Sequence, residues 1–414
     1  MTAAKQTVHG RAYLTVLAGA VVLLLCLGAA PAEGPEWRDA MNAAVKALEE
    51  SRYADAEGFL RTAVAEAEKF GRTDARLALS LNRLGTILYS QGKYAEAERF
   101  YKRALGIIEE TYGPGHLRVA DDLTGLAGIY QMQRRFAEAE ALLDRSLAIR
   151  ERVLGKDHPD VAQSLNNLGT LYSTQGKSVE AESCFRRAYA ILEKIYGPEH
   201  ITIAGTLSNL GILYSSRGKP GEAESFLKRS LLIREAALGP KHADVATSLD
   251  NLGAFYHSQG RMLEAEGSFR RALAIQEGVR GPDHPEVAIT LGHLATLYEA
   301  QGKAADAKPL IERSLGIWEK ALGPEDVRVA STLSSLGKIH EVQGRYEEAE
   351  LLLRRSLAIK EKVMGPAAPE VAVGLEDYAA LLRKMNREAD ATQLEARARA
   401  IQTETPVVKP TQVR

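Results

Sequence analysis

The chain has 414 residues, of which 45% are hydrophobic and 26% are charged, and its formal net charge is −1. This composition is typical of a folded, soluble protein, and the balanced charge argues against a nucleic-acid partner, which usually requires a basic surface. The two cysteines, Cys26 and Cys184, are too few for a disulfide framework or a cysteine metal site.

The first 32 residues differ in composition from the rest of the chain. Lys5 and Arg11 precede an apolar run over residues 12–30. Small residues follow this run as far as Ala32. A basic start, an apolar stretch and small residues predict a secretory signal peptide that is cleaved after Ala32. The run is also long enough to span a bilayer, so a retained membrane anchor is the alternative.

A lipoprotein attached through Cys26 is a third possibility for this segment. It is disfavoured because Leu25 stands where a small residue would be expected. With any of the three, we expect the bulk of the chain to be exported to the periplasm or the extracellular space, or to be held at the membrane by its N-terminal segment.

The remainder of the chain repeats itself with a period of 42 residues. Four residue types mark the period. They are the alanines 97, 139, 181, 223, 265, 307, 349 and 391, the glycines 113, 155, 197, 239, 281, 323 and 365, the leucines 84, 126, 168, 210, 252, 294 and 336, and the isoleucines 107, 149, 191, 233, 275, 317 and 359.

Each copy of the repeat predicts two helices. In the copy that begins near residue 203, apolar side chains follow one face of a helix as far as Tyr214. Gly218 then permits a tight turn, because glycine accepts a left-handed backbone at little cost. A second helix ends at Gly239 and Pro240. The constant alanine, here Ala223, marks the closest approach of the two helices.

One copy contains the sequence Gly176-Lys177-Ser178, which resembles the end of a phosphate-binding loop. Such a loop needs a glycine where this chain has Leu171, and it must follow a buried strand. The same turn recurs in the other copies without serine. We therefore predict a helix–helix turn and no nucleotide site.

Five histidines share one position of the repeat, just before the first helix of a hairpin: His116, His158, His200, His242 and His284. A shared metal would need their ring nitrogens about 4 Å apart, whereas equivalent residues in stacked hairpins are about 8–10 Å apart or more. Pro159 and Pro285 follow two of them at the first helical position. The position predicts helix capping and not metal binding.

The second helices carry acid-to-base pairs four residues apart, such as Glu182 with Arg186 and Glu266 with Arg270. Lys308 and Glu312 reverse the order in one copy. Because such pairs stabilise an exposed helix by about 0.2–0.5 kcal/mol each, we expect a solvated outer face that neutralises its own charge.

The repeated motifs "SLNNLGTLYSTQGK", "EAESCFRRAYAIL" and "GKDHPDVA" resemble the tetratricopeptide repeat, in the 42-residue form of kinesin light chains and their bacterial relatives. The resemblance covers about residues 73–401. It implies an all-α fold, a right-handed α-solenoid of tandem helical hairpins. The export signal replaces the coiled coil of kinesin light chains, so a motor role is not expected.

In this architecture the residue before the repeated leucine points into a concave groove. The position holds Arg83, Gly125, Asn167, Asn209, Asn251, His293 and Ser335. Asparagine is a poor helix former whose carboxamide both donates and accepts hydrogen bonds, so three in succession predict contact with the backbone of a bound peptide. The resemblance implies the same role for Asn167, Asn209 and Asn251. The alternative is that the amides brace neighbouring helices.

The predicted organisation has five parts: the signal peptide or anchor at 1–32, a divergent hairpin at 33–72, seven repeats at 73–365, a capping hairpin at 366–401 and a disordered tail at 402–414. No motif for catalysis, cofactor or metal binding occurs, and we predict no enzyme and no small-molecule substrate. The expected function is an exported scaffold that binds a partner protein or peptide in the groove. The alternative is a self-associating structural or assembly subunit of the cell envelope without a peptide ligand.

Overall fold

A computed structural model describes residues 34–50 and 52–404 of the chain. The predicted signal peptide or anchor, and the tail from residue 405 onwards, lie outside the described residues. The last helix runs to Glu404, so the expected boundary at residue 401 falls slightly short of the helix end.

All regular structure in the described residues is helical, as predicted from the repeat. The helices are α1 Pro35–Glu49, α2 Tyr53–Glu68, α3 Ala75–Ser90, α4 Tyr94–Tyr112, α5 Leu117–Met132, α6 Phe136–Leu154, α7 Pro159–Thr174, α8 Ser178–Tyr196, α9 Ile203–Ser216, α10 Pro220–Leu238, α11 Ala243–Ser258, α12 Met262–Arg280, α13 Pro285–Ala300, α14 Ala304–Leu322, α15 Val327–Val342, α16 Tyr346–Met364, α17 Pro369–Lys384 and α18 Glu388–Glu404. We call the odd-numbered helices A helices and the even-numbered ones B helices.

The chain forms two compact units that divide between Gln259 and Gly260. In the first unit each A helix from α1 to α9 pairs with the B helix after it, and that B helix also packs on the next A helix. In the second unit the same pairing joins α13 to α14, α15 to α16 and α17 to α18. Each unit is therefore an all-α stack of hairpins, which confirms the predicted solenoid fold class.

The two helices of a hairpin meet at the glycine that follows the repeated leucine. A Cβ atom added to Gly211 would lie 3.2 Å from the carbonyl oxygen of Ala223 and 2.6 Å from Cγ of Leu227. The constant alanine is fully buried, as at Ala223. Glycine on one helix and alanine on the other thus let the backbones approach closely and admit one large side chain from the B helix.

The same contact recurs with different large side chains. Phe185 fills the space at Gly169, and Leu353 fills the space at Gly337. Since interiors are closely packed, a larger residue at either small position would have to displace this side chain.

Turns within hairpins and between them use two devices. Gly218 has φ of +69°, in the left-handed region that its sequence position predicted. Arg134 takes a φ of 60° at the equivalent turn without being glycine. Side chains cap the N-terminal ends of six A helices, α3, α5, α7, α11, α13 and α15. None of the helices in the described residues is sufficiently long and apolar to span a membrane.

Candidate functional site

The candidate site is a surface of the A helices in the first unit. It lies on the side of these helices opposite their B helices. On α7 this face carries Gln163 and Asn167, and on α9 it carries Gly205 and Asn209, all half-buried or exposed. Thr247 and Asn251 occupy the same positions on α11. We call this surface the A-face. Its residues in this stretch are small or uncharged.

The three predicted asparagines lie on the A-face in successive A helices. Asn167 is half-buried, and its side-chain oxygen accepts a hydrogen bond of 3.2 Å from Gln163 in the same helix. Asn209 is also half-buried. Asn251 is only 6% exposed, and its Oδ1 atom is buried without a hydrogen-bond partner within the described chain. A buried carbonyl oxygen in this state costs about 1–3 kcal/mol unless a donor reaches it from outside.

Two residues that directly precede positions on the A-face, Asn166 before Asn167 and Asn82 before Arg83, brace neighbouring A helices. The Asn166 amide donates to Thr206 on the next A helix at 2.9 Å, and the Asn82 amide donates to Asp122 at 2.6 Å. Burial raises the pKa of Asp122 to about 7, because an ionised carboxylate is poorly solvated there. In the "NNLG" motif the first asparagine is therefore structural, and the second is left for the A-face.

The first part of the A-face is built differently. At Gly125 the ring of Tyr101 occupies the space of a side chain, since an added Cβ would lie 2.4 Å from its Cε1 atom. The Tyr101 hydroxyl lies 2.7 Å from that of Thr86, and burial raises its pKa to about 12. Arg83 is half-buried on α3, where its charge acts on Tyr101. Arg83 therefore belongs to a subsite that differs from the asparagine stretch.

The remaining predicted residue, His293, lies on α13 in the second unit. It is half-buried, and its ring is tilted against that of Phe269 with 5.2 Å between the centroids. The position before the repeated leucine is thus partly exposed there too, but it carries a ring packed on the hairpin interior.

Arg234 was not among the predicted residues, yet it reaches the same region from a B helix. Its guanidinium donates to Ser248 Oγ at 2.7 Å and to the carbonyl oxygen of Asp244 at 3.2 Å, both on α11. No carboxylate pairs with it within the described residues, and burial lowers its pKa. The sequence contains a signal for this residue: arginine follows the repeated isoleucine here, whereas the preceding copy has the buried Leu192.

Arg150 occupies the equivalent position two repeats earlier and provides a comparison. Its guanidinium is paired with Asp121 at 2.6 Å and donates to Ser164. The charge of Arg150 is therefore neutralised by a direct ion pair, whereas within the described residues Arg234 has only the longer-range charge of Asp244.

The acid-to-base pairs on the B helices are present, but the acids do more than the sequence suggested. Glu182 pairs with Arg186 at 2.8 Å and also accepts hydrogen bonds from Tyr214 and Arg217 of the next hairpin. These donors lower the pKa of Glu182 to about 2. The expectation of a solvated face was incomplete, because glutamates in this row join successive hairpins.

The repeated tyrosine of the A helix supplies the matching donor in four successive copies. The pairs are Tyr172 with Glu140, Tyr214 with Glu182, Tyr256 with Glu224 and Tyr298 with Glu266. The shared spacing of 32 residues is visible in the sequence, although it lies beyond the range of helical periodicity.

Four of the five histidines before the A helices act as caps, as predicted. His200 does not, because the N-cap residue of α9 is Thr202 and no side chain caps that helix. The Nδ1 atoms of His116, His158, His242 and His284 accept hydrogen bonds from backbone N–H groups two residues later, at 3.1–3.2 Å. Asp74 and Asp326 occupy the same position and cap with a carboxylate oxygen at 2.8 Å. No group of three metal-ligating side chains occurs in the described part of the chain.

Cys184 is half-buried, and burial raises the pKa of its thiol to about 11. A thiol with so high a pKa is a poor nucleophile near neutral pH.

Comparison with protein families gave a match to the model described as tetratricopeptide repeat. It covers residues 40–110, 76–147, 123–194, 175–236, 202–257, 244–320, 291–362 and 328–404. No curated protein matches the chain significantly.

Several solved structures resemble the chain in fold. A Rap protein complexed with Competence and Sporulation Factor is 17% identical with a TM-score of 0.54, over 90% of this chain and 98% of that one. Aspartyl phosphate phosphatase F from Bacillus subtilis is 15% identical with a TM-score of 0.52, over 94% and 99%. A putative kinesin light chain from Podosopora anserina with nearly identical TPR-like repeats is 26% identical with a TM-score of 0.43, over 50% and 97%.

Proposed function

Because the chain belongs to the tetratricopeptide repeat family, we propose that it is a protein-interaction scaffold whose A-face binds an extended segment of a partner protein. Asn167, Asn209 and Asn251 would hold the backbone of that segment in a groove. A carboxamide can accept from a peptide N–H and donate to a peptide C=O, so the contact would not depend on the partner's side chains.

The observation that carries this proposal is the carboxamide of Asn251. Its Oδ1 atom is buried without a donor in the described chain, which is costly in an isolated protein. A peptide N–H from a bound segment would satisfy it. Beside Asn167, the bracing between neighbouring A helices is provided by Asn166, so Asn167 is not needed for it.

Arg234 adds a second element to the proposed groove. Three of the five N–H donors of a guanidinium remain once Ser248 and Asp244 have each received one. A carbonyl or carboxylate oxygen on the partner could accept from them. The paired Arg150 offers no comparable charge, because Asp121 neutralises it.

Self-association through the ends of the solenoid is the competing function, and one observation weighs against it at the C-terminal end. The last helix, α18, exposes charged, hydroxyl and amide side chains together with a few alanines. Such a surface suits a cap that faces water.

Capture of the partner tests the proposal. A photo-crosslinking amino acid at position 209 should trap a distinct protein from the envelope fraction, whereas the same probe at the exposed position 190 should not. Recovery of self-copies alone from position 209 would favour the structural subunit. Trapping of one partner equally from both positions would place binding outside the A-face.

Export of the chain is also part of the proposal, and it rests on the composition of residues 1–32. Sequencing of the mature N-terminus should give Glu33 as the first residue. A start near Met1 in a membrane pellet would identify the segment as an anchor. A full-length chain that stays in the cytosol would contradict export altogether.

A further inference from the structure

One junction between hairpins in the second unit departs from the tyrosine–glutamate pattern. One repeat earlier, the Tyr298 hydroxyl donates to Glu266 at 2.9 Å and accepts from Arg270 at 2.8 Å. At the junction between α14 and α15, the glutamate position holds Lys308 and the tyrosine position holds His340. Both partners of the pair have been replaced, the acid by a base and the neutral donor by a titratable ring.

His340 is buried in this junction without a replacement hydrogen bond. It is 5% exposed, and its Nδ1 atom is buried with no hydrogen-bond partner in the described chain. The Oε2 atom of Glu348 lies 3.2 Å from Nδ1 but is not aligned for a hydrogen bond. That carboxylate is already engaged by Arg345.

The charged groups around His340 come from both elements packed against α15. Lys308 and Glu312 face it from α14, where they form an ion pair with 3.7 Å between N and O. Arg345 and Glu348 face it from the start of α16. Two cations near a buried imidazole oppose a third positive charge, while the two glutamates partly compensate.

We propose that the α14–α15 junction is a pH-sensitive point in the second unit, at which protonation of His340 weakens the packing between two hairpins. The neutral ring suits the buried position. The protonated ring requires solvent or a carboxylate, and the nearest one, that of Glu348, is already engaged by Arg345 and is not aligned with Nδ1.

The direction of the effect follows from where the proton binds more readily. Burial, reinforced by Lys308 and Arg345, lowers the pKa of His340 below its ordinary value of about 6.5. The unfolded or opened junction therefore binds more protons than the closed one. The stability that neutral His340 contributes to the junction is complete above the ordinary histidine pKa of about 6.5. It is lost as the pH falls below that pKa.

The next junction along the chain does not titrate in this range. Tyr378 donates to Glu350 at 2.6 Å, burial raises the pKa of Tyr378 to about 12, and hydrogen bonding lowers that of Glu350. Between pH 7 and pH 5 the tyrosine stays protonated and the glutamate stays ionised. The junction between α16 and α17 is therefore an internal control.

Hydrogen exchange measured by mass spectrometry at pH 7 and pH 5, corrected for intrinsic rates, tests the proposal in the full chain. Both chains compared carry His284→Asp, so that the histidine cap of α13 does not titrate in either of them. One chain keeps Lys308 and His340, and the other carries K308E and H340Y, which restore the pattern of Glu266 and Tyr298. We expect protection over residues 336–342 to fall in the first chain, by up to about tenfold for each pH unit, and to stay level in the second.

A fall of equal size in both chains would overturn the proposal, and so would unchanged protection in the first chain. If the double variant does not fold, H340L with Lys308 retained takes its place, because leucine is neutral at both pH values. Residues 378–384 on α17 should show no comparable change in any of the chains. A parallel fall there would mean that the whole unit loosens in acid rather than this junction.

Discussion

A buried alanine fixes the distance between the two helices of each hairpin. At Ala223 the carbonyl oxygen comes within 3.2 Å of the place where a Cβ on Gly211 would stand. The recurrence of alanine every 42 residues was sufficient to predict this contact. Which large side chain fills the adjoining space could not be predicted from the period, since it is tyrosine, phenylalanine or leucine in different copies.

Ala223→Arg should therefore destabilise the protein by about 3 kcal/mol or more, because it overpacks the hairpin and buries a charge. Chemical denaturation measures the change. Ala190→Arg on the exposed side of α8 is the matched control and should alter stability by less than about 0.5 kcal/mol. Wild-type stability of A223R would show that the helix pairing is wrong.

The capping histidines make a residue-scale prediction about pH. His284 accepts a hydrogen bond through Nδ1 only when it is neutral, and burial together with Arg280 lowers its pKa to about 4. The stability that it contributes is complete above the ordinary histidine value of about 6.5. It is lost progressively as the pH falls from there to about 4.

His284→Asp replaces this cap with the residue found at Asp74 and Asp326, which remains ionised at pH 5. We expect the variant to gain about 1 kcal/mol relative to the natural chain when the pH is lowered from 7 to 5. Thermal unfolding at the two pH values measures this. Parallel losses in both chains would mean that the cap contributes nothing.

At the scale of helices and hairpins, periodicity predicted which face of each helix is buried but not what its polar residues contact. Asn166 and Asn167 are adjacent in sequence and about 100° apart around the helix, so only one of them can reach the next A helix. Their roles separate once the hairpins are stacked. Arg234 was also missed. Helical periodicity does not show that a residue of the B helix α10 contacts the following A helix, α11.

The glutamate row is the element-scale feature with the clearest energetic consequence. Glu182 is partly buried and is shared by two hairpins, so its bond with Tyr214 should couple them. A double-mutant cycle of E182Q with Y214F should give a coupling free energy of about 0.5–1.5 kcal/mol. Urea denaturation provides the four stabilities.

The exposed pair of Lys194 with Asp157 joins α8 to the loop that precedes α7, at 2.5 Å, but both side chains are more than half exposed. A cycle of K194A with D157A should give a coupling of about 0–0.5 kcal/mol. Equal coupling in the two cycles would contradict the idea that partial burial makes the glutamate row effective.

For the whole molecule, the repeat alone was enough to predict an all-α stack of hairpins, because the seven repeats share the apolar spacing and the stop, and all but the one with Arg134 have the turn glycine. Binding is different. The asparagines are consistent with a peptide groove, yet their number and position do not identify a partner. That information depends on side chains outside the repeat pattern, such as Arg83 and Arg234.

The central claim is that the A-face asparagines bind the partner, and the affinity of the captured partner for the triple variant N167A/N209A/N251A tests it most directly. Each carboxamide should contribute about 0.5–1.5 kcal/mol, so we expect a loss of roughly 1.5–4.5 kcal/mol if the sites are independent. Stability should stay level or rise, since alanine is the better helix former and the unpaired Asn251 oxygen is removed. The control R186A/R270A, on the B helices, should bind nearly normally. The account would be contradicted if the triple variant bound normally while the arginine control lost binding. A lower melting temperature for the triple variant would also contradict it.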